Sequence, residues 1–125
     1  MSCITNPVFS ITEKAHLEFM LQFDFQGKAA VIEQLNTMKE ADITRDFTPH
    51  YWIIEFRPNG ANPNHGAMRP YIQISVEHDS SAPTEFTLYE RNGLVFELEI
   101  FNSDNSVLAL NTITDGEIFI HPTNH

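Results

Sequence analysis

Thr84-Glu85-Phe86-Thr87-Leu88-Tyr89-Glu90-Arg91-Asn92-Gly93-Leu94-Val95-Phe96-Glu97-Leu98-Glu99-Ile100-Phe101 is the stretch on which the fold turns. Apolar and polar residues alternate on both sides of Arg91-Asn92-Gly93, and such alternation around a turn predicts a β-hairpin with one buried face. The register follows from arithmetic. A two-residue loop at Asn92-Gly93 pairs Leu88 with Glu97 and Phe86 with Glu99, which mixes apolar and charged residues on one face. A three-residue loop pairs Leu88 with Phe96, Phe86 with Leu98 and Thr84 with Ile100, and puts Gly93 in the left-handed conformation such loops favour. A one-residue slip moves every side chain to the opposite face, so the second register is expected. It buries Phe86, Leu88, Phe96, Leu98 and Ile100. Glu85, Glu97 and Glu99 stay exposed, with Glu85 facing Glu99, Thr87 facing Glu97 and Tyr89 facing Val95.

Working outward, Tyr51 to Arg57 places Trp52, Ile54 and Phe56 on one face, and Tyr71 to His78 places Ile72, Ile74 and Val76 on one face. Tyr71 and Glu77 fall on the opposite, polar face of their strand. Pro49, Pro70 and Pro83 mark strand ends, where a missing amide is tolerated. Ile118-Phe119-Ile120 adds a candidate edge strand within the tail Ile113 to His121. The N-terminal third has helical spacing instead. Ser10 with Glu13 forms a capping box before Leu17, Met20 and Leu21, with Phe19 and Phe23 on a second stripe. Asp24-Phe25-Gln26-Gly27 breaks that helix, and a second runs from Lys28 to about Lys39 on Val31, Ile32, Leu35 and Met38. These readings predict one α+β domain over residues 1–125, with two N-terminal helices on an antiparallel sheet of about four to five strands.

The 125 residues bring ten phenylalanines and a 42% hydrophobic content, enough for one core without staples. The N-terminal residues have neither a basic start nor an apolar run, no segment has the length of a membrane span, and the lone Cys3 lies in a terminus expected to fray. These features point to a cytoplasmic protein in a reducing compartment.

Charge is unevenly placed. Residues 1–69 carry eight acids against six bases, whereas residues 70–125 carry nine acids against Arg91 alone, out of a net charge of −10. Phosphate recognition requires clustered cations, so direct nucleic-acid binding is disfavoured, as is an anionic membrane surface. A basic protein is the partner such a field attracts. The predicted outer hairpin face, with Glu85, Glu97, Glu99, Tyr89 and Phe101, joined by Glu77 and Tyr71 if the 71–78 strand lies alongside, is the candidate partner-binding surface. Three readings of it compete: a merely solvated sheet face, a docking surface for a basic protein, and an oxygen-ligand cation site.

Catalytic signatures are sparse. The six histidines, His16, His50, His65, His78, His121 and His125, show no ligand spacing with one another or with Cys3. No nucleophile elbow or phosphate-cradling glycine cluster occurs. No catalytic residue, metal ligand or cofactor is therefore assigned, and an enzyme is not expected. The aperiodic segment 58–70 is long for a compact domain. With His50, His65 or His78 it offers an alternative reading, a small-ligand or divalent-metal-binding protein.

The order of elements resembles that of a group of small bacterial proteins. They open on a helix with paired apolar residues, a glycine turn and a second helix carrying a Gln-Leu pair, here Phe19-Met20-Leu21, Gly27 and Gln34-Leu35. They close on a hairpin with glycine before an apolar-acid alternation and an aspartate turn, here Gly93 to Ile100 and Asp104. Small acidic proteins of this kind are often immunity proteins that neutralise toxins delivered between competing bacteria, as in contact-dependent growth inhibition. The resemblance implies stoichiometric binding to a basic toxin domain, such as a nuclease, by covering its active site, with no catalysis.

Overall fold

The computed structural model describes residues 2–57 and 66–122. Helix α1 (Ile11–Leu21) starts at the expected capping box: the Ser10 amide donates to Glu13 Oε1 at 2.8 Å, and the Glu13 amide donates to Ser10 Oγ at 3.1 Å. Helix α2 (Lys28–Thr37) follows Gly27, whose φ of 89° lets the chain reverse between the helices. Strands β1 (Ile43–Phe47), β2 (Tyr51–Phe56), β3 (Met68–Glu77), β4 (Thr84–Arg91), β5 (Leu94–Asn102) and β6 (Glu117–His121) form one antiparallel sheet in the order β1-β2-β5-β4-β3-β6. The α+β class and the helices-on-sheet layering match expectation.

Among the described residues the sheet has six strands rather than four to five, and the extra one is β1. Ile43-Thr44-Arg45-Asp46-Phe47 has too few apolar residues to register as a strand in isolation. It is held by pairing with β2 and by Arg45, which points to the helix side and bonds Glu13 at 2.5 Å, the Val8 carbonyl at 2.9 Å and Glu40. Glu13 is only 3% exposed, so the residue that caps α1 also docks β1.

Both helices cover one sheet face. Phe19 lies 4.8 Å from Phe86, and His16 lies 4.8 Å from Trp52, around a core that includes Leu17, Met20, Val31, Leu35, Ile54, Ile74, Leu98 and Ile100. His16 is buried with Nδ1 donating to the Thr12 carbonyl at 2.7 Å, and burial lowers its pKa. The expectation of a frayed N-terminus is corrected. Ile4 is buried, Asn6 Nδ2 donates to the carbonyls of Leu35 and Met38, and Asn36 bonds the backbone of Cys3 and Thr5. Asn6 satisfies carbonyls that the end of α2 leaves without helical partners. Cys3 is half-buried beside Glu18, and its thiol is raised by burial and by that carboxylate.

The hairpin register also needs correction. β4 and β5 join through a two-residue turn, with Arg91 opposite Leu94 and left-handed conformations at both Asn92 (φ 55°) and Gly93 (φ 76°). An irregularity at Tyr89/Glu90 then shifts the pairing, because Glu90 faces Val95 while Tyr89 faces Glu97. Phe96 is the extra residue, a β-bulge. Below it Leu88 faces Leu98 and Phe86 faces Ile100. The mixed faces that argued against a two-residue turn are thus avoided without lengthening it. The inversion is confined to the turn end, where Val95 is fully buried and Phe96 is only half-buried. Pro70 likewise lies within β3, at a second irregularity, rather than at its end.

Among the described residues no helix is long and apolar enough to cross a membrane.

Candidate functional site

Among the described residues no element covers the sheet face opposite the helices. Because strands pair in fixed register, its side chains form rows. One row crosses Tyr51, Phe101, Glu85, Ser75 and Phe119; the next crosses Asp46, Ile53, Glu99, Thr87, Gln73 and His121. A third places Thr44, Glu55, Glu97 and Tyr89 side by side.

This arrangement brings together most of the expected surface but alters its neighbours. Glu85, Tyr89, Glu97, Glu99 and Phe101 share the face. The juxtaposition of Glu85 with Glu99 does not occur, because the bulge moves Glu85 opposite Phe101 and Glu99 opposite Thr87. Like charges instead face one another at Glu55 and Glu97, between β2 and β5. Glu77 lies on the same face at its far end, opposite Glu117. Tyr71 does not belong to it. The irregularity between Pro70 and Ile72 turns Tyr71 to the helix side, where its ring lies 5.8 Å from Phe25 and its hydroxyl donates to the Gly93 carbonyl at 3.3 Å. Burial there pushes its hydroxyl up to about 12.

Glu97 also departs from expectation: it is 9% exposed rather than solvated. β5 is an interior strand, so Glu97 is walled by Tyr89 on one side and Glu55 on the other. Among the described residues no hydrogen-bond donor or cation pairs with it. Burial, reinforced by Glu99 and Glu55 and partly offset by Arg91, raises its pKa to about 7. Arg91 stacks over the Phe96 ring at 4.0 Å, and its Nε is buried with no hydrogen-bond partner among the described residues.

Neighbouring acids are engaged to different degrees. Glu55 bonds Arg57 at 3.1 Å, and the Tyr89 hydroxyl reaches Glu99 at 3.5 Å. The Tyr51 hydroxyl donates to Asp46 at 3.0 Å. Ser75 Oγ donates to Glu85 and lies 2.6 Å from His121 Nε2, itself 3.8 Å from Glu85. A nucleophilic serine requires the imidazole to stand between hydroxyl and carboxylate. Here one imidazole nitrogen and the carboxylate converge on the same buried hydroxyl, so this trio fixes β6 against β3 and β4.

Sequence reasoning missed Asp46, Tyr51, Ile53 and Glu55. The alternation of β2 already put Tyr51, Ile53 and Glu55 on one face; what was lacking was that β2 neighbours β5. Of the alternative site, residues 58–65, including His65, lie outside the described residues. His50 Nδ1 donates to the Asn105 carbonyl at 2.9 Å, and His78 Nδ1 to the Asp115 carbonyl at 2.9 Å. Among the described residues no three His, Cys, Asp or Glu side chains converge as metal ligands.

No protein-family model, curated protein or solved structure matches this chain.

Proposed function

We propose that this protein is a non-catalytic binding protein whose open sheet face covers a cationic site on a basic partner, in the manner of an immunity protein bound to a toxin domain such as a nuclease. The observation that carries this reading is Glu97. An acid held buried, with no partner among the described residues and flanked by two further acids, destabilises the fold, and a partner cation removes that cost. Half-buried Tyr89 beside it, with Tyr51 and Phe101 further along the same face, supplies the aromatic area that anchors interfaces, and Glu55, Glu85 and Glu99 supply charge. A purely solvated face would leave its central carboxylate in water, whereas Glu97 is only 9% exposed.

The test is calorimetry against the basic product of the neighbouring reading frame, with two variants of equal net charge. Glu55→Lys/Glu99→Lys alters the sheet face, and Asp24→Lys/Glu33→Lys alters exposed positions on the helical side. The sheet-face variant is expected to lose at least 100-fold in affinity, the helical variant less than about fivefold. Equal losses, or no complex with the unaltered protein, overturn the assignment.

A further inference from the structure

The two edges of the sheet are unlike. At β1 the exposed residues are Thr44, Asp46 and Phe47, and Phe47 is stacked on Trp52 at 4.3 Å, so that edge is charged and its aromatic is occupied. At β6 every residue is exposed, and three consecutive apolar side chains, Ile118 (39%), Phe119 (45%) and Ile120 (54%), stand in solvent. Among the described residues β6 pairs only with β3. It has no lysine, internal proline or bulge, the devices by which sheets protect an edge.

The rows show why these residues are apolar. Ile120 continues the core row of Ile74, Phe86 and Ile100, and Ile118 sits beside Val76. The core pattern therefore runs one strand further than the described helices cover.

We propose that β6 is a self-association edge, and that two copies of this chain pair β6 to β6 antiparallel, centred on Phe119, to form one twelve-stranded sheet. The sequence of β6, Glu117-Ile118-Phe119-Ile120-His121, is complementary to its own reverse. In that register Phe119 meets Phe119 of the second copy, Ile118 meets Ile120, and Glu117 meets His121. Apolar residues meet apolar ones on both faces, and an acid meets the one basic side chain of the strand. His121 engages Ser75 and Glu85 through Nε2, which leaves Nδ1 to face Glu117 of the other copy. A two-fold axis makes each contact twice, as isologous interfaces do. The axis runs perpendicular to the sheet, so both acidic faces lie on the same side of the assembly.

Sedimentation over a concentration series at low and high salt tests the proposal, and a cysteine pair tests its register. Each chain carries −10, so dimerisation is expected to strengthen with salt, opposite to the binding of a basic partner. Directly opposed residues in an antiparallel pair have Cα atoms about 4.5–5.5 Å apart, within disulfide reach, whereas residues two positions out of register lie beyond it. In a Cys3→Ser background, Phe119→Cys is expected to oxidise to a covalent dimer and Ile118→Cys to remain largely uncross-linked. Ile120→Lys places a charge opposite Ile118 and should return the protein to monomer with an unchanged circular-dichroism spectrum, its melting temperature no longer depending on protein concentration. Cross-linking at 118 but not 119 overturns the register. A wild-type protein that stays monomeric throughout, with no Phe119→Cys dimer, overturns the proposal and leaves the edge to a strand of another protein.

Discussion

At the scale of single residues, Glu97 and Gly93 make the sharpest predictions. Glu97 binds a proton more tightly folded than unfolded, so folding stability falls as pH rises from about 4.5 to 7 and is flat above that. His16 acts in the opposite sense, because its lowered pKa makes stability fall as pH drops below about 6.5. Replacing Glu97 by glutamine is expected to raise stability at pH 7.5 by about 1–2 kcal/mol, allowing for partial screening, and to leave the opposing slope of His16 exposed in denaturant melts across pH 5–7. The same variant should bind a basic partner more weakly, a trade of stability for function. Gly93 has open space where a Cβ would stand, so only its backbone resists substitution. Gly93→Val should cost about 1–2 kcal/mol, because φ of 76° is unfavourable for a β-branched residue. Leu98→Ala, which empties a fully buried position, should cost about 2–5 kcal/mol by the same measurement.

At the scale of elements, the Glu13–Arg45 pair joins α1 to β1. Glu13→Ala removes both the cap and the charge that satisfies Arg45, and is expected to lower stability by about 2–3 kcal/mol in urea unfolding; Glu13→Gln, which can still cap, should cost roughly half that. This scale also shows what could be read from sequence. Ser10 and Glu13 announced α1 because a capping box is local, and Trp52, Ile54 and Phe56 announced β2 because alternation is local. The bulge at Phe96 was hidden because both registers considered assumed regular pairing, and one inserted residue reconciles a two-residue turn with an apolar face. β1 was hidden because Arg45 and Asp46 are accommodated by Glu13 and Tyr51, residues remote from or outside the strand itself. Membership of the acidic face was half legible. The alternation placed Glu97 and Glu99 together, but the adjacency of β2 that adds Glu55 and buries Glu97 is a tertiary fact.

For the whole molecule, helices on one face and acids on the other make a lopsided field. Residues 70–125, which carry net −8, supply β4 to β6 and most of β3, while β2 adds Glu55 beside β5. Association with a basic partner should therefore be fast at low ionic strength and slow by about tenfold or more between 50 and 500 mM salt, in stopped-flow measurements. If the β6 edges pair, two such fields lie side by side on one surface, and a partner carrying two basic sites would be held at both.

The buried carboxyl at the centre of that field also sets the proton balance of recognition. Near neutral pH a fraction of molecules carry hydrogen on Glu97, and a cation seated beside it favours the ionised form, so complex formation releases protons to the solution. The heat of binding should then depend on which buffer takes them up, being more exothermic in Tris than in phosphate at the same pH. With glutamine at position 97 that difference should vanish.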